Sequence, residues 1–81
     1  MNHTEARDIA KESIASVIPD ADLAILGPDD YFRDVLEMDS LDFLSCVETL
    51  SERTGVRIDD EDTPRLTTLS DSADFLVDRT E

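Results

Sequence analysis

Three consecutive residues near the middle of the chain, Asp39-Ser40-Leu41, place a hydroxyl nucleophile at the predicted start of a helix. Asp39 is the natural N-cap of that helix, and Asp42 stands three residues later, near the capping-box position. The Ser40 hydroxyl is therefore not needed for capping. Because the first N–H groups of a helix lack acceptors, they favour a phosphate group there. The pattern predicts a serine open to phosphate-ester modification; the alternative is an ordinary helix start.

Leu41 falls on the polar side of the same helix, where an apolar residue is out of place. Acidic residues surround it at helical spacing. A small apolar anchor inside a charged rim has the form of a protein-docking site. We name this predicted docking surface by its members: Asp39, Leu41, Asp42, Ser45, Glu48 and Glu52.

The sequence gives little support for metal binding or catalysis. His3 and Cys46 are single and far apart in the chain, so no zinc site is predicted. The run 59–62, Asp-Asp-Glu-Asp, lacks the glycine and the spacing of a calcium loop. Ser40 has no histidine nearby in sequence, and His3 is expected in a frayed terminus. We therefore predict no catalytic residues and no metal site, and Cys46 is interpreted as a half-buried filler of the core.

The net charge narrows the range of partners. The chain has 21 Asp and Glu against 7 Lys and Arg, a formal charge of −14. This excludes nucleic acids and anionic membranes, which attract basic surfaces, and favours proteins with basic patches. The single cysteine and the lack of an apolar run of ~18 residues or of a signal-peptide pattern predict a soluble cytoplasmic protein. The length of 81 residues predicts one domain over 1–81.

Apolar periodicity predicts an all-α protein. The predicted segments are a first helix over 4–18 capped by Thr4, a long connection over 19–38, a second helix over 40–54 closed by Gly55, a helical turn near 60–66, and a last helix from Thr68 with Asp71 completing its cap. These make an irregular four-helix bundle of three main helices and one short helix, with a long first loop.

The same periodicity predicts which side chains face the core. They are Ala6, Ile9, Ala10, Ile14, Val17 and Ile18 on the first helix, Phe43, Leu44, Val47, Leu50 and Thr54 on the second, Leu69, Ala73, Leu76 and Val77 on the last, and the loop anchors Leu23, Ile25, Leu26, Phe32, Val35, Leu36, Ile58 and Leu66.

These segments resemble the acyl carrier protein family over essentially the whole domain. Residues 30–42, DYFRDVLEMDSLD, resemble the family's loop into an Asp-Ser-Leu motif that opens the second helix. Residues 55–62, GVRIDDED, resemble the turn after that helix, and 65–76, RLTTLSDSADFL, the short third and final fourth helices. The spacing between these blocks fits without gaps.

The resemblance implies a monomeric carrier and not an enzyme. Ser40 would carry a 4'-phosphopantetheine arm, supplied by coenzyme A and installed by a phosphopantetheinyl transferase of the holo-ACP synthase kind. The arm's thiol would hold acyl groups as thioesters, and the apolar space between helices could shelter short chains. Acyl-transfer, ligase and synthase enzymes with basic patches would bind the docking surface. Fatty-acid, polyketide and related lipid pathways are the implied settings.

Departures from the family pattern keep alternatives open. Glu37 stands where the family often has glycine, and Met38 follows it. Other unusual residues are Phe43, Ser45, Cys46 and Pro64. These residues favour a specialised free-standing carrier. The alternatives are an aminoacyl or peptidyl carrier of a nonribosomal-type pathway and, in a different class, an acidic helical interaction module that never receives the arm.

Overall fold

The computed structural model describes residues 1–80 and confirms an all-α fold. Its three main helices are α1 (His3–Val17), α3 (Ser40–Thr54) and α4 (Leu69–Thr80). The predicted turn near 60–66 is a 3-10 helix, Asp60–Arg65. Two short elements in the long first loop were not predicted: a 3-10 helix, Leu23–Ile25, and the one-turn helix α2, Phe32–Val35. None of the described helices is long and apolar enough to cross a membrane.

Most helix ends follow their local sequence signals. Gly55 closes α3 with φ of 71°, in the left-handed region that favours glycine. Thr68 caps α4, because its Oγ1 accepts a 2.9 Å hydrogen bond from the Asp71 N–H. The prediction that Thr4 caps α1 is wrong. Asn2 does so, since its Oδ1 accepts from the Glu5 N–H at 2.8 Å, and the helix begins one residue earlier than predicted.

The core forms where α1 packs against α3 on one side and α4 on the other. Its buried members are Ala6, Ala10, Ile14, Leu26, Phe32, Met38, Phe43, Cys46, Val47, Leu50, Val56, Leu66, Leu69, Ala73, Phe75 and Leu76. Phe75 is fully buried, although the predicted stripe on the last helix omitted it. The reason is that α4 packs against two elements, α1 and the 3-10 helix Asp60–Arg65. The buried face of α4 is therefore wider than contact with α1 alone would make it.

Three residues predicted to face the core are instead exposed. Leu44 is 46% exposed, because it lies at the margin of the α3 arc and α1 covers the part that contains Cys46 and Val47. Ile25 (62%) and Val35 (38%) are exposed because short helical turns in the loop direct only some apolar side chains inward. Their neighbours Leu26 and Phe32 are buried and anchor the loop as predicted.

Candidate functional site

Ser40 is the first residue of α3, and its side chain is exposed. Asp39 caps the helix as predicted: its Oδ1 accepts from the Asp42 N–H at 2.8 Å, and its carbonyl accepts from the Phe43 N–H at 2.9 Å. Within residues 1–80 the Ser40 hydroxyl has no hydrogen-bond partner, so it is free for chemistry. The site is thus an accessible hydroxyl at the positive end of a 15-residue helix.

The segment before Ser40 is anchored to the core by the buried side chain of Met38. Met38 is 5% exposed, and its N–H donates to the Arg33 carbonyl at 2.8 Å. Met38 therefore anchors the loop to the core two residues before the serine. This assigns a structural role to a residue whose role the sequence left undecided.

Glu37 has a backbone conformation that side chains rarely adopt. Its φ is 52°, in the left-handed region, and it is the only non-glycine residue with positive φ among those described. A β-carbon is disfavoured there and glycine is not. The glycine expected at this position from the family resemblance thus has a geometric reason, and Glu37 keeps the turn at a cost in backbone strain.

The predicted docking surface lies on the outward side of α3. Leu41 is 74% exposed, the most exposed large apolar residue described. Asp39, Ser45, Glu48 and Glu52 are exposed as well, and Asp42 is half-buried. Leu44 lies three residues after Leu41 and is 46% exposed, although the periodicity predicts it in the core. It adds a second apolar side chain to this side of the helix.

The charge of the docking surface is not neutralised from within the described chain. None of its four carboxylates forms an ion pair with a residue in 1–80. Arg53, on the last turn of α3, is instead paired with Glu12 of α1 at 3.0 Å. The surface therefore presents apolar side chains within a negative field, which suits a partner with a basic patch.

A small cavity lies in the core behind α3. Its volume is about 20 Å³, room for one or two water molecules. It is lined by Ala10, Ser13, Ile14, Phe32, Phe43, Cys46, Val47, Leu50, Leu66 and Ser72. An acyl chain can enter it only if the helices move apart.

Cys46 is buried at 6% exposure, and not half-buried as predicted. Burial, and then the nearby charge of Asp42, raise the pKa of its thiol from 9.0 to about 11. The thiolate is the reactive form, so Cys46 is an inert core residue at neutral pH. It is not a second attachment point.

The other polar residues singled out in the sequence have structural roles. His3 lies within α1, not in a frayed terminus, and its Nε2 is 2.9 Å from the Asp74 carboxylate of α4. Asp62 accepts a 2.9 Å hydrogen bond from Arg79, and it forms a reciprocal cap with Asp59. Among residues 1–80 no group of three or more His, Cys, Asp or Glu side chains could hold a metal ion.

The described residues fit a phosphate-linked arm. The Ser40 hydroxyl is exposed and unbonded, and the backbone N–H groups of Ser40 and Leu41 have no acceptor within 1–80. A phosphodiester on this oxygen would lie at the helix end where negative charge is favoured. Met38 and Asp39 hold the serine in place while leaving its outward side open.

Comparison with known proteins agrees with this geometry. The family model described as "phosphopantetheine attachment site" matches residues 8–76. An acyl carrier protein of Thermosynechococcus vestitus is 33% identical over 76 residues, covering 94% of this chain and 93% of that protein. One from Tropheryma whipplei is 31% identical over 75 residues, covering 89% and 92%.

A further acyl carrier protein, from Rubrobacter xylanophilus, is 37% identical over 51 residues, which is 63% of each chain. Its identity to this chain is higher than that of the other two relatives, but its alignment is shorter. Taken with the family model, which spans most of the chain, these relatives extend the likeness well beyond the Asp-Ser-Leu motif. The chain therefore belongs to the acyl carrier protein family, whose members are carriers with a covalently attached 4'-phosphopantetheine group and not enzymes.

Proposed function

We propose that Ser40 carries the phosphopantetheine arm and that the chain, as one carrier domain in the cytoplasm, presents acyl thioesters to the enzymes of a fatty-acid, polyketide or related lipid pathway. The observation that supports this most is that capping and the free hydroxyl belong to two different residues at the start of α3. Asp39 caps the helix, so the exposed Ser40 hydroxyl has no structural partner within the described residues.

The attachment reaction uses only one atom of this chain. The Ser40 Oγ forms a bond to the phosphorus that bears pantetheine, and the bond from that phosphorus to the adenosine bisphosphate part of coenzyme A breaks. The hydroxyl proton goes to a base of the transferase. The chain contributes an accessible nucleophile at a helix end that stabilises the added negative charge.

The docking surface supports a role with several successive partners. Leu41 supplies an apolar anchor, and the carboxylates around it are unpaired within the described chain. Complementary charge speeds association, whereas a small interface keeps affinity moderate, so that each partner binds quickly and leaves quickly. We expect a phosphopantetheinyl transferase and acyl-transfer, ligase and synthase enzymes to bind here through basic patches.

Intact mass tests the attachment directly. The purified protein is incubated with coenzyme A, magnesium and a broad-specificity phosphopantetheinyl transferase. We expect the mass to rise by one phosphopantetheine unit. Ser40→Ala should abolish the gain, and Ser16→Ala, at an exposed serine of α1 outside the docking surface, should retain it. No gain in the wild-type protein, or a gain that survives Ser40→Ala, would exclude the proposal and favour an unmodified interaction module.

The class of cargo is tested next by loading. The arm-bearing protein is offered acyl and aminoacyl donors with their activating enzymes, and thioester formation is followed by mass. Acyl loading with little aminoacyl loading is expected, because the strongly acidic α3 favours partners of acyl pathways. The reverse result would assign the chain to nonribosomal-type synthesis.

A further inference from the structure

Arg33 is a basic side chain near Ser40 that has no acidic partner in the described chain. It is the only Lys or Arg in residues 12–52. The arginines that follow it all form ion pairs with carboxylates; they are Arg53, Arg57, Arg65 and Arg79. Arg33 forms none with any residue in 1–80, although Asp34 is its neighbour in sequence. Its guanidinium is therefore available to an anion that the polypeptide itself does not supply.

The Arg33 guanidinium is held beside the start of α3. Its Cζ lies 4.8 Å from the centroid of the Phe43 ring, a cation–π contact. Phe43 is itself fixed, because it is 8% exposed and its ring stacks on that of Phe32 with the centroids 6.2 Å apart. Phe43 lies three residues after Ser40, and Cβ atoms at this helical spacing are about 5–6 Å apart. The positive charge thus lies beside the first turn of α3, the turn that begins with Ser40.

A groove lies between α2 and the residues that precede α4. It is open to solvent, has a volume of about 240 Å³ and is lined by Tyr31, Arg33, Asp34, Met38 and Thr67. Backbone contacts fix its two sides, because the Phe32 N–H donates to the Thr67 carbonyl at 3.3 Å and Tyr31 forms an antiparallel bridge with Thr68. Met38 lies two residues before Ser40, a separation that the chain spans in at most about 7 Å. The groove therefore begins close to the attachment residue.

We propose that Arg33 binds the phosphodiester of the arm on Ser40, and that the groove receives the part of the arm next to the phosphate. This inference rests on the proposed function and identifies the residues of this chain that position the arm.

The chemistry of the groove suits a phosphodiester followed by amide groups. A guanidinium donates two parallel N–H groups to phosphate oxygens, which makes arginine well suited to phosphate. Tyr31 and Thr67 supply hydroxyl groups, which can bond to either end of an amide. Asp34 is the one acidic residue of the lining, and it forms no ion pair with Arg33, so it does not occupy the guanidinium.

A carboxylate of a partner enzyme is the competing ligand for Arg33. A partner would supply it only while bound, whereas the phosphodiester is covalently attached beside the guanidinium. Covalent attachment gives the phosphodiester a high effective concentration at Arg33. We therefore expect the contact in the isolated arm-bearing protein.

The arm-bearing protein alone provides the test, without a partner enzyme. Wild type and Arg33→Gln are converted to the arm-bearing form, purified and compared with the unmodified proteins by proton–nitrogen and phosphorus NMR. We expect the Nε–H resonance of Arg33 to shift when the arm is attached, and the Thr67 methyl group to show nuclear Overhauser contacts with the methyl groups of the arm. In Arg33→Gln these contacts should be lost and the phosphorus resonance should shift.

Arg57→Gln is the matched control. It removes the same charge from an exposed arginine beyond the other end of α3, so the arm contacts and the phosphorus resonance should remain as in wild type. Arg33→Lys keeps the charge without the paired N–H groups, and it should retain only part of the contacts. If Arg33→Gln does not fold, the Arg33 resonance and the arm contacts of the wild type still decide.

An Arg33 resonance that does not respond to the arm would overturn the inference, as would identical arm contacts in wild type and Arg33→Gln. Slower arm attachment in Arg33→Gln without any change in these spectra would also overturn it, and would assign Arg33 to a contact with the transferase. Failure of the proposed function gives a different result, because the wild-type protein then gains no mass. A protein that gains the arm and shows no contact with Arg33 is a carrier whose arm is not held in the groove.

Discussion

At the scale of single residues, Leu41 is an exposed apolar side chain that we propose contacts partners and contributes little to folding. It is 74% exposed, so its removal takes little apolar surface out of the core. We expect Leu41→Ala to change the free energy of unfolding by less than about 0.5 kcal/mol but to slow arm attachment severalfold, measured as initial rates by mass. Ile25→Ala, with 62% exposure outside the docking surface, should leave both unchanged. Strong destabilisation with normal attachment would contradict the docking role.

Glu37 is the residue whose backbone is under strain. Its left-handed φ of 52° disfavours a β-carbon, so Glu37→Gly should stabilise the fold. The gain is limited to up to about 1 kcal/mol, because glycine also adds entropy to the unfolded chain. Urea denaturation measures it. Glu37→Gln keeps the β-carbon and removes the charge; if it stabilises as much as glycine, charge repulsion and not backbone strain is the cause.

The burial of Cys46 makes the stability of the fold depend on pH. Its pKa is raised from 9.0 to about 11, so the folded state holds the proton more tightly than the unfolded state. The contribution to stability is therefore complete below pH 9 and decreases as pH rises from 9 through 11. We expect the stability of wild type to fall more steeply over this range than that of Cys46→Val, measured by urea denaturation at each pH. Parallel profiles would contradict the assigned shift.

At the scale of elements, α3 begins with the cap residue Asp39 next to Ser40, the residue that we propose carries the arm. The Asp39 side chain caps the helix and thereby leaves Ser40 free. Asp39→Ala should cost about 1 kcal/mol of stability, a typical value for losing a cap. Thermal melting followed by circular dichroism measures this loss.

Asp39→Asn is the matched variant, because its side-chain oxygen can still accept from the Asp42 N–H without the charge. It should retain most of the stability yet slow arm attachment, since Asp39 also belongs to the docking surface. If Asn were as destabilising as Ala, charge at the helix end and not the hydrogen bond would account for the effect of Asp39.

At the scale of the whole molecule, acidity is concentrated and not evenly spread. Residues 29–62 contain 12 acids and 3 arginines, a net charge of −9. Such clustering destabilises the compact state by self-repulsion, which salt screens. Raising NaCl from about 0.1 to about 1 M shortens the screening length from about 10 to about 3 Å, and we expect the melting temperature to rise by several degrees. Magnesium should act at lower concentration.

A variant with less charge separates screening from other effects of salt. Glu48 and Glu52 lie four residues apart on the exposed side of α3 and repel each other. Glu48→Gln with Glu52→Gln should melt higher in low salt and gain less from added salt. An equal salt response in both proteins, or none in the wild type, would exclude self-repulsion as a determinant of stability.

Local signals were sufficient to predict the geometry around Ser40 and much of the architecture. The cap at Asp39, the free hydroxyl of Ser40, the end of α3 at Gly55 and the outward position of Leu41 depend on neighbours within one or two helical turns, so they are readable in sequence. The three main helices follow equally from their own apolar periodicity.

Tertiary packing decided which residues at the edge of an apolar helix face are buried, which periodicity alone leaves ambiguous. Leu44 and Cys46 both border the apolar arc of α3, and only the position of α1 determines that Cys46 is buried and Leu44 is exposed. The burial of Met38 likewise depends on packing against the rest of the core. Sequence alone determined where the arm attaches in our proposal and that the surface around it is acidic. Only the tertiary structure decided what lines the interior behind it, because a cavity is formed by several helices together.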